Sequence, residues 1–139
     1  MIYLDTSYIV PLFLAERETT NVRKRLAAAS GGDERIVTSD WTRTELASAV
    51  GLKVRRGELQ RDDALRLLPA IDRFITGSLT EVLPVHPADF SLAANYLQYF
   101  DLGLRGGDAL HLAICANHGI KELLTFDKTL AKAVRHFKL

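Results

Sequence analysis

Asp5, Glu45, Asp108 and Asp127 are four carboxylates spread along the chain, none near another in sequence. Asp5 directly follows the apolar run Ile2, Tyr3, Leu4, and Asp127 follows Thr125 and Phe126 after another such run. Asp108 comes after Gly106 and Gly107 and opens the helical stretch ALHLAICA. If the fold brings the four together, they line an oxygen-rich pocket for a hard divalent cation. Such an ion can activate a water and stabilise a leaving oxygen, which is phosphate-ester chemistry. Four clustered carboxylates also repel, by about 4 kcal/mol for a pair at about 4 Å and an effective dielectric near 20. The cluster therefore needs a bound cation or raised pKa values. It needs no histidine or cysteine nucleophile.

Those acids can meet only if the intervening elements place them at one edge. Short apolar runs alternate with longer helical patterns, which predicts an α/β layer fold around a short, mainly parallel sheet. Strands are expected at 2–4, 36–38, 81–84 and 122–125, and helices at 7–16, 19–29, 40–56, 61–76, 87–99, 107–118 and 128–136. Pro11 is expected in or near the first turn of its helix, where proline is tolerated. Gly31 and Gly32 follow the second helix, and Gly57 is a natural stop for the third. Ligands of open α/β sheets bind outside the carboxyl ends of the strands, the edge toward which Asp5 and Asp127 point.

Each acid also has a simpler reading. Asp5 and Asp127 can be helix N-caps, worth about 1 kcal/mol each. Asp108 can be a cap or a first-turn acid favoured by the helix dipole. Thr42-Arg43-Thr44-Glu45 matches a capping box, in which Glu45 would turn back to the backbone. Ser39 and Asp40 are better starting points for that helix. With them at the start, Glu45 falls in the second turn and is free to face the pocket.

At 139 residues, with 47% hydrophobic and 25% charged residues, the chain reads as one globular domain over 1–139. No apolar run is long enough for a membrane span. The start MIYLDTSYIVPLFLAER lacks a basic leader and reads as the first strand and helix. Cys115 is the only cysteine, which excludes an intramolecular disulfide and a multi-cysteine zinc site; it fits a buried core position and a reducing cytoplasm. A net charge of +1 means that nucleic-acid binding would rest on local basic groups. Arg43, Lys53, Arg55, Arg56 and Arg105 are the candidates, and a solvated face is their ordinary reading. Arg23-Lys24-Arg25 reads as surface.

His111 falls one helical turn after Asp108 and reads as a core or helix-surface residue that could lie near the site. His86, His118 and His136 show no metal-ligand spacing, and Trp41, Phe74, Tyr96 and Tyr99 read as packing groups.

The stretches IYLDTSYIVPLF, TRTELASA, LRGGDALHLA and LLTFDKTL, in that order, resemble the PIN-domain nucleases, most closely the VapC-type toxins of toxin–antitoxin modules. The resemblance spans essentially the whole chain, and its first and third stretches are the specific ones. It implies a three-layer α/β/α domain and an Mg²⁺- or Mn²⁺-dependent ribonuclease, with Asp5, Glu45, Asp108 and Asp127 as the metal-binding set. Thr6 and Ser7 match the polar residues after the first acid, and Thr125 matches the hydroxyl residue before the last. They would hold carboxylates in place. Gly106-Gly107 departs from the family's pattern and would loosen Asp108. A small VapB-type antitoxin and a homodimer are implied as partners, besides RNA. Two other readings stand beside this one. A phosphorelay receiver would need a further aspartate at a central strand end and a late lysine, where the chain offers Pro84-Val85-His86. A PIN-like module could instead bind a partner without cleaving anything.

Overall fold

A computed structural model of the chain describes residues 1–14, 19–30, 34–77 and 81–139. Four strands, β1 (Ile2–Leu4), β2 (Ile36–Ser39), β3 (Glu81–Leu83) and β4 (Glu122–Leu124), form one sheet in the order β3-β2-β1-β4. Every pairing is parallel, with Ile2 opposite Ile36 on one side and Glu122 on the other. The helices are α1 (Thr6–Phe13), α2 (Thr19–Ser30), α3 (Asp40–Arg55), α4 (Arg61–Thr76), α5 (Pro87–Tyr96), α6 (Gly106–Asn117) and α7 (Lys128–Phe137). Because successive strand residues face opposite sides, β1 sends Ile2 and Leu4 into one core and Tyr3 into the other. Ile9, Val22, Leu46, Val50, Ile71 and Ile75 from α1 to α4 fill the first core. Ala93, Leu112, Ile114 and Leu130 from α5, α6 and α7 fill the second. The result is the expected three-layer α/β/α arrangement.

Sequence order reverses between β1 and β4, so the carboxyl ends of these strands open on the crevice where parallel sheets take ligands. Asp5 and Asp127 stand at this crevice. Each caps the helix that follows: the Asp5 side chain accepts from Tyr8 N, and Asp127 accepts from Thr129 N and Leu130 N. α3 starts at Asp40 behind Ser39, so Glu45 lies in its second turn, as the Ser39-Asp40 start requires.

Two local expectations need correction. Pro11 lies in the second turn of α1, where its missing N–H removes one helical bond. The helix α5 stops at Tyr96; a turn of 3₁₀ helix over Phe100–Leu102 follows, closed by Gly103 at φ 69°. Tyr99 stacks edge-on against His136 and Phe137 from there. Gly57, at φ 72°, does end α3. Glu16, Gly31 and Gly32 lie outside the described residues. Among the described residues no helix is long and apolar enough to cross a membrane.

Candidate active site

One cavity of about 340 Å³ is lined by all four predicted acids, Asp5, Glu45, Asp108 and Asp127, together with Thr6, Ser7 and His111. Its floor along α3 continues from Glu45 through Ser48, Ala49 and Leu52, the one-face spacing of a helix. The acids come from four separate places: the β1 end, the second turn of α3, the first turn of α6 and the start of α7.

Hydroxyl groups hold the β1–β4 side. Thr125 Oγ1 donates to Asp5 Oδ2 at 2.6 Å, and Ser7 Oγ donates to Asp5 Oδ1 at 2.8 Å. Ser7 Oγ in turn accepts from Phe126 N, and Thr125 Oγ1 accepts from Asp127 N at 2.9 Å. Asp5 is only 3% exposed although it lines the cavity. Burial pushes its carboxyl above the usual range, against the hydrogen bonds from Thr125, Ser7 and the Tyr8 N–H and the influence of His111. Asp108 accepts from Arg105 N at 3.3 Å. Its carboxyl is also raised, first by burial and then by the charges of Asp127 and Glu45, while the Arg105 N–H opposes the rise. Here the expected mutual repulsion is present.

Glu45 is held differently. Its Oε2 accepts from Thr6 Oγ1 at 2.5 Å and lies 2.7 Å from His111 Nε2. Burial alone would raise this carboxyl, but the hydrogen bond and charge of His111, with help from Thr6 and Trp41, bring it below the usual range. Trp41 Nε1 is buried beside it without closing a hydrogen bond. A methyl carbon added at Gly107 would fall 2.5 Å from Glu45 Oε1 and 3.5 Å from Trp41 Nε1. Gly107 therefore gives Glu45 the room it needs, a reason for glycine there besides any effect on Asp108.

Thr6, Ser7 and Thr125 all contact an acid, as expected of them. His111 is a core residue, 2% exposed, yet its ring reaches Glu45, which burial patterns alone did not foretell. Tyr3 was missed as well; its hydroxyl lies 2.7 Å from His111 Nδ1 and 2.6 Å from Ser39 Oγ. A tyrosine inside an otherwise apolar strand was the available signal, because a buried phenol needs a hydrogen-bond partner. Arg43 is tied to Asp40 and Asp72 and does not line the cavity. Lys53 pairs with Glu58. Trp41, Phe74 and Tyr96 pack against the two cores as expected, and Cys115 is buried.

Among the described residues, no three His, Cys, Asp or Glu side chains stand close enough to hold one ion between them. The donor chemistry still fits a divalent cation. Mg²⁺ keeps several waters and takes only one or two protein carboxylates, so acids that surround a cavity without closing on a point suit it. Asp5 and Asp108, whose charged forms are disfavoured by burial, would gain most from such an ion.

Fold and cavity together define a parallel α/β domain with an acidic, oxygen-lined cleft at its switch point. Residues 2–135 match the PIN domain family. The chain is 34% identical over 142 residues to Ribonuclease VapC23 of Mycobacterium tuberculosis, with 97% of this chain and 99% of the relative covered. It is 32% identical over 132 residues to Ribonuclease VapC13 of the same species, covering 92% and 91%. Among solved structures, Mycobacterium tuberculosis VapC20, a sarcin-ricin loop cleaving toxin, superposes with a TM-score of 0.74 over 96% of this chain and 95% of that one. At 22% identity that likeness concerns the fold. The chain belongs to the PIN-domain family and, within it, to the VapC type.

Proposed function

We propose that this protein is a VapC-type toxin that hydrolyses RNA phosphodiester bonds at the four-carboxylate cavity with Mg²⁺ or Mn²⁺. The observation that carries the reading is the convergence of Asp5, Glu45, Asp108 and Asp127, from four separate elements, on one cavity at the sheet's switch point. Asp5 and Asp108 are the primary ligands; Asp127 and Glu45 complete the set. When bound, the ion supplies a polarised phosphate and a more acidic water. Thr125 and Ser7 keep the Asp5 carboxylate aimed at the cavity. Glu45, whose carboxyl is held below its usual range, orients the attacking water by accepting a hydrogen bond from it. The floor of the cavity leads along α3 toward Arg56 at the helix end, one turn beyond Leu52, where a cation can meet an RNA phosphate.

The whole chain acts as a single domain in the cytoplasm, paired with a VapB-type antitoxin and with a second copy of itself. Sedimentation at rising concentration tests the homodimer, and a monomer throughout would remove it. The activity is tested by incubating purified protein with total cellular RNA in Mn²⁺, Mg²⁺ or EDTA, beside Asp5→Asn. Metal-dependent cutting that Asp5→Asn abolishes supports the reading. Equal cutting by the variant would remove Asp5 from the site, and a complete lack of cutting by antitoxin-free protein would favour a binding module.

A further inference from the structure

We propose that Tyr3 and His111 are positioning residues that fix the Glu45 carboxylate through one continuous chain of hydrogen bonds. The proposal rests on the reading of the cavity as the active site. The chain runs from Ser39 Oγ to Tyr3 Oη at 2.6 Å, from Tyr3 Oη to His111 Nδ1 at 2.7 Å, and from His111 Nε2 to Glu45 Oε2 at 2.7 Å. It passes from strand to strand, then from sheet to helix and from helix to helix, joining β2, β1, α6 and α3. Ser39 and Tyr3 are fully buried and His111 is 2% exposed, so water does not compete along most of its length.

The chemistry of its end group sets the direction at Glu45. An ionised carboxylate only accepts, so His111 Nε2 carries a proton and donates to Glu45. Nδ1 faces the Tyr3 hydroxyl, which can donate to it or accept from it, so the chain is continuous in either order. Ser39 Oγ closes it at the Tyr3 oxygen. Ser39 occupies the N-cap position of α3, yet its side chain makes no capping bond to the helix. A serine there ordinarily caps; this one is committed to Tyr3 instead.

Glu45 has particular need of such a support. Asp5 and Asp127 are short and are fixed by capping the helices that follow them. Glu45 is longer and springs from a helix interior, and among the described residues its hydrogen bonds come from side chains: Thr6 and His111 hold Oε2, and Oε1 rests over Gly107. Without His111 the carboxylate keeps one donor and regains rotamer freedom.

Tyr3→Phe, His111→Leu and His111→Gln test the proposal in three measurements. Two-bond ¹H–¹⁵N spectra of the wild-type ring should show a protonated Nε2, with the Nδ1 resonance displaced in Tyr3→Phe. Calorimetric titration with Mn²⁺ should give about 10-fold weaker binding for Tyr3→Phe and about 100-fold weaker binding for His111→Leu. His111→Gln, which restores an N–H donor, should recover part of that loss. At saturating Mn²⁺ kcat on RNA should fall in the same order while KM for RNA stays unchanged. Wild-type Mn²⁺ affinity and kcat in both Tyr3→Phe and His111→Leu would overturn the proposal alone. So would a loss that merely follows melting temperature, with Gln no better than Leu. A wild-type protein that neither binds Mn²⁺ nor cuts RNA would overturn the reading of the cavity, and this proposal with it.

Discussion

On the β1–β4 side of the cleft, Asp5 and Asp127 stand at strand ends and are held by neighbours in sequence or by the adjacent strand's loop. Asp5 binds the Tyr8 N–H and the Ser7 hydroxyl, and Asp127 binds the first N–H groups of α7. On the α3–α6 side, Glu45 depends on Thr6 and His111, 39 and 66 residues away, and His111 depends on Tyr3, 108 residues from it in sequence. The electrostatic outcome differs too. Burial dominates at Asp5 and raises its carboxyl, whereas donors outweigh burial at Glu45 and lower it. One cleft thus holds a buried acid in want of a cation beside a carboxylate already supplied with donors. The first suits a primary metal ligand and the second a carboxylate that completes the set and orients water.

Breaking the two sides separately should give distinct results. Asp5→Asn has the largest expected effect, a fall in kcat of about 10²–10³-fold with the fold intact, measured by RNA cleavage and circular dichroism. Gly107→Ala comes next. Its added carbon needs the space of Glu45 Oε1, so activity should fall about 10–100-fold. Gly106→Ala is the control: nothing lies within 4 Å of its added carbon, and it should raise stability by up to about 1 kcal/mol with activity kept. Loss in both variants alike would show that clearance over Glu45 is irrelevant.

Thr125→Val should cost about 10-fold in activity, because Asp5 loses its shortest donor and the Asp127 N–H its acceptor. Stability should drop by about 1–2 kcal/mol in urea unfolding. The smallest effect is the pH dependence of the metal-free protein. Asp5 titrates higher when folded, so the stability it contributes is present below its ordinary value of 3.8 and is lost as pH rises through the folded value. Glu45 titrates lower when folded, so its contribution is present above 4.5 and is lost as pH falls through its folded value. Urea midpoints from about pH 3 to 7 should therefore shift in opposite directions for Asp5→Asn and Glu45→Gln. Parallel profiles would erase the contrast between the two sides.

The same contrast separates what could be read in the sequence from what could not. Asp5 and Asp127 were legible because strand, acid and helix follow one another along the chain, and period-2 and period-3.6 patterns locate the junctions. The mainly parallel sheet follows from the same alternation of elements, and the three layers from the resemblance to the PIN-domain nucleases. Glu45 was legible once Ser39 and Asp40 were taken as the start of α3. The support behind Glu45 was not, because Tyr3 and His111 look like ordinary core positions and Ser39 like a helix start. Only the packing of β1 against α6 makes their polar tips meet. The clearance at Gly107 was not legible for a related reason, since the side chain that needs it lies on another helix. Pro11 and the end of α5 were missed by a turn, the usual softness of helix boundaries.

The most direct test of a cation site built from these acids is a thermal melt of the wild type and Asp5→Asn with and without Mn²⁺. Removing a buried, disfavoured charge should make metal-free Asp5→Asn the more stable protein. Mn²⁺ at about 100 times its dissociation constant should then stabilise the wild type by about 2.7 kcal/mol and the variant by clearly less. Melts unchanged by Mn²⁺ in both proteins, with Asp5→Asn no more stable than the wild type, would contradict it.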